Sequence, residues 1–288
     1  MSAAKKLLWS IVFILCSPLF SSFSMAASDS DVVGMIVNLQ GNGEVVVGDV
    51  SSKMQLLQYV KPKMQLKLDA GSKASVSHYQ SKMIYQLSGP AVIEVDADGL
   101  KSISGNAPVS KSMAQKLVVA AADSNLMPAA VRMRDAIAPI TIAAPKNGSV
   151  LLKTRPVFTW NAFEATSYEF KLENKAGGEI LHSKVDAPSV ELPAGVNLEY
   201  GKAYKWSVSY VAAADSKVNM AEGEFSVLPE ADAQNMLSLK PAADAPIEEW
   251  ILYASTLQNR HIFEEAHEVW REIAMQRPDL KVVQNFAR

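Results

Sequence analysis

Cysteine is almost missing from this chain, and its one copy, Cys16, lies close to the N-terminus. No intramolecular disulfide can form, so stability has to come from buried apolar area. No basic cluster is present either. The formal net charge of −2 gives no electrostatic case for binding nucleic acid or an anionic membrane surface. The apolar run over residues 7–15 is broken by Ser17-Pro18, well short of the ~20 residues a membrane-spanning helix requires. Several catalytic signatures are also missing. Gly41-x-Gly43 lacks a third glycine and a following helix, and no Gly-x-Ser-x-Gly occurs, so phosphate cradling and a serine-hydrolase elbow have no support. With no recognisable mechanism, the expectation is a non-catalytic protein without a cofactor.

What the N-terminus does contain reads as an address. Lys5 and Lys6 precede the apolar run, and Ser24-Met25-Ala26 supplies small residues where a signal peptidase would cut. Residues 1–26 are therefore expected to be a cleaved signal peptide, and the mature protein to be periplasmic or otherwise exported, with no membrane insertion after cleavage. Removing the leader takes Cys16, Lys5 and Lys6 with it, which moves the formal charge from −2 to −4.

Beyond the leader the chain divides into segments. Across residues 30–106 short stretches alternate with period two. Val33, Met35, Val37 and Leu39 lead to Gly41-Asn42-Gly43, a hairpin signal, and Met64, Leu66 and Leu68 alternate with Gln65 and Lys67. The pattern predicts a small all-β roll or barrel. The stretch LDAGSKASVSHYQSKMIYQLSGPAVIEV, with Leu68, Gly71-Ser72, Ala74, Val76 and Leu87, resembles the FecR-type periplasmic domain. Signalling members of that family carry a cytoplasmic anti-sigma region before a membrane helix, whereas six residues precede the apolar run here. Residues 107–138 are rich in Ala and Met, and SKSMAQKLVVAAA predicts a short helix in a connector packed on a neighbour.

Period two returns over residues 139–228. Phe158 and Trp160 share a face. Tyr168, Phe170 and Leu172 alternate with Glu169, Lys171 and Glu173, and Tyr204, Trp206, Val208 and Tyr210 alternate with Lys205, Ser207 and Ser209. Strands at this spacing predict a β-sandwich. Leu198-x-x-Gly201-x-x-Tyr204 resembles the tyrosine corner of fibronectin type III and related immunoglobulin-like sandwiches. The resemblance implies that the Tyr204 hydroxyl bonds back to the chain, and that Trp206 and Trp160 meet inside. Tyr200, before the corner, is expected in a loop and free to be exposed.

From residue 229 the period becomes helical. Pro246 with Glu248 and Glu249 starts one helix, and a second is expected over 262–275, stopping before Pro278. Trp250-x2-Tyr253-Ala254-x2-Leu257, then Ala266-x3-Trp270 and Pro278, is similar to one tetratricopeptide repeat over about 247–280. With Trp250, Tyr253, Ala254 and Leu257 turned inward, Glu248, Ile251, Ser255 and Gln258 form the other stripe. That stripe is the candidate partner-binding face. The expected architecture is thus mainly β, with a FecR-like roll or barrel, an Ig/fibronectin-like sandwich and a C-terminal α-helical hairpin. The resemblances imply an adaptor or sensor that binds an envelope protein or peptide.

Competing readings rest on fewer residues. Cell-wall or glycan binding would use Tyr200 and Phe163 as stacking rings, and a FecR-like signal regulator would require a retained anchor. Glu94-x-Asp96-x-Asp98-Gly99 begins like a calcium loop, but Gly105 stands where the late carboxylate is needed, so an Asp-Gly turn is expected. Glu264-x-x-His267 is half of a di-iron motif whose other half is absent. His261 and His267 do not share a helix face as zinc ligands would, and His78 and His182 stand alone in predicted strands.

Overall fold

The structure, a computed structural model, describes residues 32–113, 139–162, 167–213 and 216–287. The signal-peptide reading (1–26) and Phe163 lie outside the described residues, as does most of the expected connector helix, whose residues 110–112 are strand instead. Ten strands form the first unit: β1 (Gly34–Gln40), β2 (Gly43–Val47), β3 (Val50–Lys53), β4 (Tyr59–Val60), β5 (Gln65–Leu68), β6 (Lys73–His78), β7 (Met83–Ser88), β8 (Ala91–Val95), β9 (Leu100–Gly105) and β10 (Val109–Ser112). They make two five-stranded antiparallel sheets, ordered β10-β7-β6-β1-β4 and β3-β2-β5-β8-β9. Among the described residues no ladder joins one sheet to the other, so of the expected roll or barrel the closed barrel is not formed, and the two sheets pack as open layers. Ile36, Val45, Leu66, Val76, Leu87 and Ile93 fill the space between the layers. β10 lies where a connector was expected; its four residues are all exposed, so no alternation marks it as a strand.

The first sheet is covered on both faces. Met35 and Val37 point away from the sandwich core that Ile36 enters, and join a second cluster with the C-terminal helices. The pairing of β1 with β6 shifts between Ile36 and Asn38. This β-bulge puts Val37 and Asn38 on the same side and returns Leu39 to the sandwich core. Of the four residues expected to share one face, Met35 and Val37 face the helices while Val33 and Leu39 pack on the sandwich core.

Eight further strands form the second unit: β11 (Ile140–Ala144), β12 (Ser149–Leu151), β13 (Val157–Ala162), β14 (Tyr168–Asn174), β15 (Glu179–Val185), β16 (Ser189–Glu191), β17 (Ala203–Val211) and β18 (Val218–Val227). A three-stranded sheet, β11-β13-β16, faces a five-stranded one, β12-β18-β17-β14-β15. All neighbours are antiparallel except β12 and β18. Phe158, Trp160, Phe170, Trp206 and Phe225 interlock between the sheets at ring separations of 5.0–6.4 Å. The Tyr204 hydroxyl accepts from the backbone N–H of Glu199 at 2.7 Å, the bond back to the chain that the corner motif implied. Tyr204, Trp206 and Tyr210 are all core residues.

Four helices follow: α1 (Glu230–Ser238), α2 (Ile247–Asn259), α3 (Phe263–Gln276) and α4 (Lys281–Phe286). Pro246 precedes α2, and Glu248 and Glu249 in its first turn favour the positive end of the helix dipole. His261 takes a left-handed φ of 62° in the tight turn between α2 and α3. Ala254 and Ala266 are completely buried where these helices pack. Trp270 stacks on Phe286 of α4 at 5.2 Å, while half-buried Trp250 has the Lys240 ammonium 6.0 Å from its ring.

Candidate interaction surface

The stripe expected to meet a partner is an internal contact. Ile251 is completely buried, Glu248 and Ser255 are 8% exposed, and Gln258 is half-buried. α2 lies on the outer face of β1 and β6, and residues 251–257 are buried without a break, so this helix has no solvated stripe there. Its ends are fastened by polar bonds. Glu248 Oε1 accepts from Asn38 Nδ2 and from Ser75 Oγ, both at 3.0 Å. Asn38 Oδ1 accepts from Arg277 Nη1 at 3.1 Å, and Arg277 binds Asp279 through Nε and Nη2 at 2.8 and 2.7 Å. That pairing pushes the Arg277 guanidinium up and holds the Asp279 carboxyl below its usual range. At the other end, Asn259 Nδ2 donates to the Tyr59 hydroxyl at 3.1 Å. Ser255 turns its hydroxyl to the Ile251 carbonyl. Glu248, Ile251 and Ser255 are thus buried in this arrangement and present no open face to a partner, while Gln258 is half-buried.

The helices also hold the second sandwich. The Val150 N–H donates to the His261 carbonyl at 2.8 Å. Glu264 Oε1 accepts from Ser149 Oγ at 3.1 Å and from the Lys146 N–H at 3.2 Å. Leu152 of this unit is buried in the same cluster as Met35 and Val37 of the first. Tyr200, expected to be free, is half-buried and packs against both that cluster and the second sandwich core. It cannot serve as an open stacking platform. An open groove of about 400 Å³ between Asn42, Glu44, Ser51, Ser52, Lys53 and Asp69 has no aromatic wall, which removes the stacking that a sugar site would use.

The remaining candidates resolve into local structure. Residues 96–99 form the turn between β8 and β9, where the Asp96 N–H bonds to the Gly99 carbonyl at 2.8 Å. His267 Nδ1 lies 3.1 Å from the Phe286 carbonyl, and His182 sits on an exposed strand beside Glu169 at 3.3 Å. Among the described residues no group of three His, Cys, Asp or Glu side chains is placed to hold a metal ion. No helix among them is long and apolar enough to cross a membrane.

An open face with unusual composition is found at the far end of the second sandwich. The outer side of its five-stranded sheet carries charged residues, with Lys205 bound to Glu222 at 2.8 Å and Lys171 to Glu173 at 2.7 Å. Toward the β17–β18 tip the same side becomes apolar. Val211 and Val218 are directly paired, Met220 follows two residues along, and their exposures are 64%, 67% and 58%. β12 pairs only with residues 225–227 of β18. Among the described residues, therefore, 218–222 pair in a ladder with β17 alone, although β11 of the facing sheet packs near β18. The signal for this patch was present in the sequence: Val218 and Met220 share the parity of Glu222 and Glu224, and Val211 that of Lys205 and Ser207. No family model matches this chain, and no curated protein matches it.

Proposed function

We propose that this protein is an exported, non-catalytic adaptor of the cell envelope that captures a partner protein at the β17–β18 edge of its second sandwich. The observation that carries the reading is the exposed Val211–Val218–Met220 patch beside an unpaired strand margin. A contiguous apolar patch on an otherwise charged face marks an interaction site. An open strand margin offers main-chain hydrogen bonds to an extended segment of another protein.

The module assignments belong to the same proposal. The strand order of the second unit and the Tyr204–Glu199 bond support an Ig/fibronectin type III-like domain. The α2–α3 hairpin, with Ala254 and Ala266 at its contact, supports a single tetratricopeptide-like repeat. A FecR-like origin for the first unit rests on its residue pattern and its all-β architecture. In this reading the helical tail is the bracket that sets the relation of the two sandwiches, and the sandwiches present the binding surfaces.

The test is crosslinking and affinity capture from intact envelopes with the full mature chain. A Val218→Lys/Met220→Glu variant should lose a protein that the wild type retains, with unchanged thermal unfolding. Equal capture by both would remove the edge from consideration. Recovery of cell wall in place of protein would favour the glycan alternative.

A further inference from the structure

Along β18 the backbone groups alternate in direction, and the ends of its pairing with β17 fix which residues point where. The Ala212 N–H bonds to the Lys217 carbonyl at 2.9 Å at one end, and the Val227 N–H to the Lys202 carbonyl at 2.9 Å at the other. Every second pair of that register is therefore the hydrogen-bonded kind, which turns the backbone of Asn219, Ala221 and Gly223 toward β17. Val218, Met220, Glu222 and Glu224 turn theirs the opposite way. Glu224 is already satisfied. Its N–H donates to Asn147 Oδ1 at 2.9 Å, and its carbonyl accepts from the Gly148 N–H at 2.8 Å. Ser226 faces β12. Among the described residues nothing bonds to the outward N–H and C=O groups of Val218, Met220 and Glu222. β11 meets β18 on the inner side, where a Cβ on Gly223 would lie 2.9 Å from Ile142 Cδ1.

The side chains of this stretch define what fits there. Val218, Met220, Glu222 and Glu224 share the outer face, apolar at the β17–β18 tip and acidic next to Asn147. One ammonium, Lys205, binds Glu222 at 2.8 Å and also feels Glu224 and Glu173. Two carboxylates beside one ammonium leave the acidic end with a net negative charge. An antiparallel strand is the more stable addition, and its residues opposite Val218, Met220 and Glu222 share the outer face with them. A second copy of the chain fits this row poorly. Self-pairing that uses all three residues must centre on Met220, which sets Val218 of each copy against Glu222 of the other and brings no cation.

We propose, building on the β17–β18 capture edge, that the partner is an extended segment reading basic-x-apolar-x-apolar, added antiparallel to β18 along residues 218–222. Its basic residue lies against Glu222 with Glu224 at the diagonal, and its two apolar residues lie against Met220 and Val218. Main-chain bonds at these three residues supply affinity that does not depend on sequence. The side chains supply the choice, through apolar cover for Val218 and Met220 and an opposite charge at the acidic end. Asn147 and Gly148 close the site at Glu224, so the added strand cannot slide toward β12.

Amide NMR of the full mature chain tests this, with the end-capped peptide Thr-Lys-Thr-Val-Thr-Val-Thr as probe. Before any addition, the Met220 amide should exchange about tenfold or more faster than that of Ala221, after correction for intrinsic rates. The peptide should then shift and protect the Val218, Met220 and Glu222 amides. N-methylation of its Lys and both Val should abolish binding, because those N–H groups face β18. N-methylation of the two Thr between them should be tolerated. Glu222→Lys/Glu224→Lys should weaken the peptide about fivefold or more, and a peptide with Glu in place of Lys should recover the loss. The original peptide should also displace the protein captured from envelopes. Unmoved amides, or equal binding by the two N-methylated peptides, would overturn the proposal. Capture lost in Val218→Lys/Met220→Glu yet indifferent to the peptide would keep the edge and overturn this partner. Equal capture by that variant and the wild type would remove the edge, and this partner with it. A Met220 amide protected before any peptide is added would also overturn the proposal. It would give the margin to a second copy if the mass in solution doubles, and to the chain itself if it does not.

Discussion

Asn38 and Glu248, 210 positions apart in the chain, meet through an Nδ2–H···Oε1 bond of 3.0 Å. The bulge in β1 makes this meeting possible. A regular strand would turn Asn38 into the apolar space with Ile36; the extra residue turns it outward to α2. Both ends of the Asn38 amide are then in use, with Glu248 as acceptor and Arg277 as donor. A local irregularity of the first sandwich thus fixes where the helical tail sits.

Removing the acceptor tests that link. Glu248→Ala leaves the Asn38 amide and the Ser75 hydroxyl without their partner in a closed interface. The expected loss is about 2–4 kcal/mol in urea unfolding. Glu248→Gln retains an oxygen for one of the two donors and should lose less. A Glu248→Ala variant as stable as the wild type would mean that water replaces the carboxylate.

Ile251 separates an internal α2 from an exposed one. It is completely buried, so Ile251→Ala should cost about 2–4 kcal/mol through the cavity it leaves. Met275 of α3 is 72% exposed, and Met275→Ala should stay within about 0.5 kcal/mol. Comparable small effects at both positions would contradict the packing of α2 on β1 and β6.

The contrast between these helices shows what the sequence carried. Pro246, Pro278 and the spacing of Trp250, Leu257, Ala266 and Trp270 placed α2 and α3 to within a residue or two, because start signals and helical period are local properties. Tyr204 was legible for the same reason, since its bond runs to a residue five positions earlier. The surroundings of α2 were not local. Glu248 and Ser255 look like a solvated stripe until Asn38, Ser75 and Met35 arrive from more than 170 residues away. Likewise β10 follows no apolar pattern because it is an exposed edge strand, held by backbone pairing to β7. Val211, Val218 and Met220 were visible as breaks in parity, but only the strand pairing gathers them into one patch.

Glu265 gives the joint between α3 and its surroundings a pH dependence of known sign. Burial raises its carboxyl above the ordinary range, Lys153 at 3.9 Å works against that shift, and Glu264 and Glu268 add to it. Its Oε2 is buried without a hydrogen-bond partner. A carboxyl with a raised folded-state pKa binds more protons folded than unfolded, so its favourable contribution is full below the unfolded value and disappears as pH rises through the folded one. Glu265→Gln should therefore be more stable than the wild type at neutral pH. The difference should shrink toward about pH 4, where the unfolded carboxyl also protonates. Equal stability of the two proteins at neutral pH would mean that the ionised carboxylate is solvated in the joint.

Ending the chain at Leu228 tests the bracket itself. The cut removes all four helices and uncovers Met35, Val37, Tyr79 and Ile84 on the first sandwich, together with Val150 and Leu152 on the second. These side chains share one apolar cluster only because α2 and α3 fill the space among them. Each sandwich keeps its own interior, around Leu66 and Ile93 in one case and Phe158 and Trp206 in the other. The shortened protein should bind a hydrophobic dye, unfold in two separate thermal transitions and scatter X-rays as a longer particle than the full chain. Arg277 leaves with the helices, so Asn38 would face water with both ends of its amide released. A single transition at the wild-type Tm with unchanged dimensions would show that the sandwiches hold each other directly. The tail would then be free to act as a binding element in its own right.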